Sequence, residues 1–214
     1  MSTFQTPEPI TVTVEVPAGN VQVIASDRTD TFVEVRPTDS AKKADVRVAA
    51  QTKVDFAGGT LTVRTPSGWR TYSPLGGNPS IEVIVEVPTG SRLKATAGVG
   101  QLLAAGEFGE SVLEIAAGDI AVESPRGAVT AKVAKGDIRV GDASRGVLRL
   151  ETSMGELEVG IRPGSAVRLE TNALSGTVQN LMAPVAGSAD PVDTVQVYAR
   201  NSFGNIIVRH DVAV

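Results

Sequence analysis

Apolar and polar residues alternate along most of this chain, and from Leu93 onward the alternation recurs in a fixed frame. A glycine punctuates that frame every 18 or 19 residues, at Gly100, Gly118, Gly136 and Gly155, then at longer intervals at Gly176 and Gly204. Val129, Ala131 and Val133 precede Gly136, and Ile138 and Val140 follow it; Leu148, Leu150 and Thr152 precede Gly155, with Leu157 and Val159 after it. Period-two alternation within a unit means strands, and a fixed longer period between units means stacked repeats. A second set of glycines, Gly109, Gly127, Gly146 and Gly164, supplies another turn per unit. The pattern therefore predicts an all-β fold, a mostly parallel β-solenoid with two strands per 18–19-residue coil. Its hand is expected to be right-handed, the general rule for connections between parallel strands. Stacking would form inward ladders Leu113–Ala131–Leu150 and Ile120–Ile138–Leu157, and an outward row of alternating sign, Glu114–Lys132–Glu151.

Residues 1–80 read as a strand-rich capping region and residues 81–214 as the repeat array with a C-terminal capping strand. Alternation marks strands at Ile10–Val16, Val21–Ile24, Phe32–Val35, Val46–Ala49, Leu61–Val63 and Ile81–Val87. Of these, Val46–Ala49 falls in an ambiguous stretch, Asp39–Ala50, that also suits a short helix. Turn signals stand at 17–20, 27–30 and 57–59. Residues 65–80 break every pattern with three prolines and three glycines, which preclude a helix or a central strand. A second interruption covers 183–193.

Aromatics make up 4% of the 214 residues, there is one His, and Cys is absent. Thin layers of Val, Ile, Leu, Ala and Thr leave little room for large rings. Zero Cys excludes disulfides, thiol catalysis and thiolate zinc sites. A net charge of −4 and a pI near 5.1, with no basic run, give no footprint for nucleic acid. No apolar run is long enough for a transmembrane segment. The first residues lack the charged and apolar regions of a signal peptide, so a cytoplasmic location is expected.

The unit Val-x-Val-Pro-x-Gly occurs at 14–19 and at 85–90, and Gly-Asp-Ile-x-Val at 118–122 and 136–140. With the glycine-punctuated array, these motifs make the chain resemble the bacterial β-strand-repeat proteins grouped as "putative adhesins", a family of uncharacterised function. The resemblance spans nearly the whole chain and implies a repeat architecture with no catalytic residues to carry over. Its adhesin name implies surface exposure.

Four constellations bear on chemistry. The row after the core glycines, Gln101, Asp119, Asp137, Glu156, Thr177 and Asn205, stacks three acids one repeat apart. It lacks the calcium-solenoid signature and reads as turn residues bonding their own backbone, so no metal or cofactor is expected. Glu151 and Glu170, on neighbouring coils, are the pair a glycan-cleaving helix would need, without aromatic platforms. His210, on a terminal strand, is the sole His available to a nucleophilic triad and reads as a solvent-facing residue. The candidate partner-binding residues are Trp69, Arg70 and Tyr72 in the irregular loop, residue types that anchor protein interfaces. The resulting expectation is a non-enzymatic, adhesin-like binding or scaffold protein with an unknown protein partner, a monomer or small oligomer. The alternatives are a self-assembling, bactofilin-like structural protein and a glycan-binding or glycan-cleaving β-helix.

Overall fold

The computed structural model describes residues 1–66, 79–182 and 194–210. These form a 16-stranded mixed sheet, mostly parallel and not closed, with one short helix among the described residues. The strands fall into two rows. The first runs β4 (Lys53–Ala57), β5 (Thr60–Arg64), the leading halves of β2 (Thr11–Ser26), β7 (Arg92–Gly106) and β8 (Glu110–Glu123), then β9 (Ala128–Lys135), β11 (Gly146–Met154), β15 (Thr194–Phe203) and β13 (Ala166–Ser175). The second runs β1 (Ser2–Gln5), β3 (Asp30–Pro37), β6 (Ile81–Pro88), the trailing halves of β2, β7 and β8, then β10 (Ile138–Ala143), β12 (Leu157–Ile161), β16 (Ile206–His210) and β14 (Val178–Asn180). Pairing is antiparallel where β1 meets β3, β3 meets β6 and β4 meets β5, and parallel in the other pairs.

Inward side chains of both rows share one hydrophobic core. The register places Leu113 on Ala131 on Leu150, and Ile120 on Ile138 on Leu157, as the alternation predicts. Ile138 and Leu157 are wholly excluded from solvent, so each aliphatic side chain adds the roughly 1.5–3 kcal/mol of a fully buried one. The chain passes from the first row to the second at a column of stacked glycines. Gly118 shows why no other residue suits: its φ is +127°, and a Cβ there would lie 1.8 Å from the Gly100 carbonyl oxygen. Both the dihedral and the close backbone approach require hydrogen at that carbon.

Three features differ from the sequence reading. The helix α1 (Lys43–Gln51) occupies the ambiguous stretch, so Val46–Ala49 is not a strand. Asp45 and Val48, three apart, are the buried pair, whereas Val46 is exposed, which is helical rather than alternating spacing. The two Val-x-Val-Pro-x-Gly motifs do not sit at equivalent places, since Val85 pairs with Val23 and not with Val14. Most consequential is the order of units. The leading strand β2 lies between the β5–β6 unit and β7, and the last unit, β15–β16, lies between β11–β12 and β13–β14. The expected C-terminal capping strand is therefore enclosed: β16 pairs on both sides, and β13 with β14 forms the outer edge.

Candidate binding groove

The enclosure of β15 assembles a surface that consecutive stacking would not. On the outward face of the first row, Thr130, Arg149, Tyr198 and Glu170 lie in register across four strands. Beside them run Lys132, Glu151, Arg200 and Asn172. Thr130, Lys132, Arg149, Glu151, Tyr198 and Arg200 line a shallow groove of about 290 Å³. The Arg149 guanidinium carbon lies 5.5 Å from the centre of the Tyr198 ring, a cation–π contact that holds the long side chain flat on the sheet. Lys132 Nζ is 3.7 Å from Glu151 Oε2. Arg200 is exposed and makes no ion pair among the described residues. Three cations and Glu151 thus line the groove, with Glu170 beside Tyr198 at its edge, in a chain whose net charge is −4. A second hollow, of about 370 Å³, continues along β8 and β9 and shares Lys132 and Glu151 with the first.

The sequence placed the candidate site elsewhere. Trp69, Arg70 and Tyr72 lie outside the described residues. Each outward residue of the groove alternates with a buried one, but nothing in the periodicity says that residue 198 neighbours residue 149. That adjacency depends on which unit β15 enters beside, and the interruption at 183–193 hides it.

The same enclosure separates Glu151 from Glu170, because β15 stands between their strands. At about 4.8 Å per strand this sets their strands roughly 10 Å apart, with Tyr198 and Arg200 intervening and a two-residue offset in register. The acidic row is also built differently from expectation. Asp119 does not turn onto its own backbone; its Oδ1 accepts the backbone N–H of Asp137 at 2.9 Å. Asp137 Oδ1 accepts the N–H of Glu156 at 2.9 Å in turn. Carboxylates that accept backbone donors from the next unit are pinned lengthwise along the stack and act as staples. Asn205 repeats the device, with its Oδ1 accepting both N–H and Oγ1–H of Thr177. Among the described residues no group of three or more His, Cys, Asp or Glu is arranged to hold a metal ion.

At the second turn column Asp142 is bound by Arg162 Nε at 2.8 Å and by the Arg162 Nη2. The Arg162 hydrogen bond holds the Asp142 carboxyl below the usual carboxylate range against the opposing effect of burial. His210, at the end of β16, is paired with Ile161 on β12.

No protein-family model and no curated protein matches the chain. Among solved structures, a "putative cell adhesion protein" from Clostridium sporogenes is similar at a TM-score of 0.53 and 13% identity, over 98% of both chains. A "putative adhesin" from Bacteroides fragilis matches at 0.38 and 10% identity, covering 97% of this chain and 95% of that one. A "putative lipid binding protein" from Parabacteroides distasonis matches at 0.31 and 10%, covering 99% and 96%. The Clostridium structure shares the fold across its length; the two lower scores add nothing to that. The resemblance read from the motifs points to the same kind of structure as the Clostridium protein. No described helix is long and apolar enough to cross a membrane.

Proposed function

We propose that this chain is a β-solenoid serving as a non-enzymatic, adhesin-like binding module, and that the Tyr198 groove takes up an anionic ligand. One observation carries the reading: Lys132, Arg149 and Arg200 line one groove with Tyr198, where Glu151 is the lining carboxylate and Glu114 and Glu170 stand at its margins. Cations held at fixed spacing on a rigid sheet suit carboxylate or sulfate groups, with Arg200 offering a planar fork that makes no ion pair among the described residues. Tyr198 and Arg149 are anchor types at interfaces, rigid and large. Glu151, the groove's own carboxylate, is engaged by Lys132, and among the described residues no second acid lines the groove to share general acid–base work.

The test is an array of neutral, carboxylated and sulfated oligosaccharides probed with the whole chain. Retention confined to acidic probes, weakened at least tenfold by Arg200→Glu and by Tyr198→Ala with unchanged circular dichroism, is the expected outcome. Binding indifferent to both substitutions overturns the assignment. A parallel Trp69→Ala variant separates this groove from the irregular loop.

A further inference from the structure

We propose that the chain forms a closed dimer in which a second copy covers the C-terminal end of the stack. The two β13 strands would pair antiparallel about a two-fold axis at Leu169.

Three observations lead there. First, among the described residues the core is less fully covered at this end. Leu148 and Val197 are wholly buried, whereas Leu169, their partner in the same ladder, is only half-buried, as are Val167 and Ala173. On β14 Val178 is 46% exposed, while its ladder partner Ile206 is 0% exposed. Second, β13 pairs only with β15, and β14 only with β16, among the described residues. An open edge presents backbone donors and acceptors that another extended strand satisfies. Third, the edge is self-complementary in charge. Arg168 and Glu170 are exposed, point outward, and make no ion pair among the described residues. In an antiparallel register centred on Leu169, Arg168 faces the partner subunit's Glu170, and Glu170 faces the partner subunit's Arg168. On the inward side Leu169 meets its own copy, and Val167 meets the partner subunit's Thr171. An isologous contact of this kind repeats each pair twice and closes at two subunits. Growth into a filament stops because the opposite end is finished by antiparallel strands and a helix.

The chain holds no Cys, which gives a clean cross-linking test. A residue on the axis faces itself across an antiparallel pair at about 4.5–5.5 Å between Cα atoms, within disulfide range. Leu169→Cys is expected to form a disulfide-linked dimer under mild oxidation, and Lys94→Cys, exposed mid-stack, to form no disulfide-linked species. Sedimentation equilibrium should show a wild-type dimer. Arg168→Glu and Glu170→Arg should each weaken it about tenfold or more by setting like charges opposite one another, and the double swap should restore it. Both positions are exposed, and a circular dichroism spectrum matching that of the wild type is required of each variant. A monomeric wild type, a dimer indifferent to the single swaps, or a double swap that fails to restore association each overturns the proposal.

Discussion

The two ends of the stack solve the same problem in opposite ways. At the N-terminal end the row edges are β4 and β1, and both run antiparallel to their neighbours. Phe56 on β4 and Phe4 on β1 meet with ring centroids 5.2 Å apart, so the two rows are joined across the end by an aromatic contact. The helix α1 packs against β3 and β6 and sends Val48 into the core at 3% exposure. Leu61, Val63, Ile81 and Val85 beneath these elements are wholly buried. At the C-terminal end the equivalent inward layer, Val167, Leu169 and Val178, is only partly covered among the described residues. A repeat stack has no intrinsic stop, because every layer offers the next the same ladder. Closing an end needs sequence that departs from the repeat, and among the described residues such sequence closes the N-terminal end.

The comparison can be broken first at the glycine column. Gly136 has φ +140°, and a Cβ there would lie 2.0 Å from the Gly118 carbonyl oxygen. Gly164, at the turn leading into the terminal β13, has φ +91° and nothing within 4 Å of an added Cβ. Gly136→Ala should therefore cost about 4 kcal/mol or more, and Gly164→Ala about 1–2 kcal/mol from its dihedral alone. Urea denaturation followed by circular dichroism compares them directly. Equal losses would mean that the mid-stack layers can slide apart as readily as the end.

Next in size is a matched pair within one ladder. Leu148 is wholly buried and Leu169, two strands further out in the same row, is half-buried. Leu148→Ala should cost about 3 kcal/mol, as cavities in packed cores do, and Leu169→Ala about 1 kcal/mol. A cost at Leu169 that matches Leu148 would show the terminal layer to be as well covered as the interior.

A third experiment opens the closed end. Asp45, at 3% exposure, accepts backbone N–H groups from Asp39 and Ser80, each at 3.2 Å, and so ties α1 to the strands on either side. Asp45→Ala leaves two part-buried donors without their partner and should cost about 1–2 kcal/mol. Faster amide exchange confined to α1, β3 and β6 would mark local opening, and exchange spread evenly along the array would contradict it.

What was legible in the sequence follows from which forces are local. The ladders through Ile138 and Leu150 and the glycine column could be read because each repeats a short-range pattern of alternation and bend. The hairpin of β4 and β5 was half legible: Gly58 and Gly59, both at positive φ, form its two-residue turn, while Lys53–Ala57 alternates too briefly to announce a strand. The helix was left ambiguous because Val46 and Val48 satisfy alternation as well as Asp45 and Val48 satisfy a helical face. The order of units was not legible at all. Any strand with the right alternation fits beside any other, so nothing in β15 states that it enters between β11 and β13. The groove depends wholly on that choice, which is why Arg149, Tyr198 and Arg200 stayed invisible as a group.

The smallest effect concerns how interior layers are tied by charge. Asp142 lies at the second turn column with φ +47°, held by Arg162 from the following unit and approached by Ser124 from the preceding one. Its carboxyl is held below the ordinary value of 3.8, chiefly by the Arg162 hydrogen bond. A depressed carboxylate favours the folded state fully above its unfolded value and loses that contribution as pH falls through its folded value. Both side chains are about a third exposed, at 33% and 35%, so screening keeps the contribution below about 1 kcal/mol. Asn tolerates the same left-handed backbone, which makes Asp142→Asn a change of charge with little added strain. The stability difference between wild type and Asp142→Asn should stay constant from about pH 7 to pH 5 and shrink progressively below about pH 4. A difference that persists undiminished at pH 2 would show that shape, not charge, holds this turn to its neighbours.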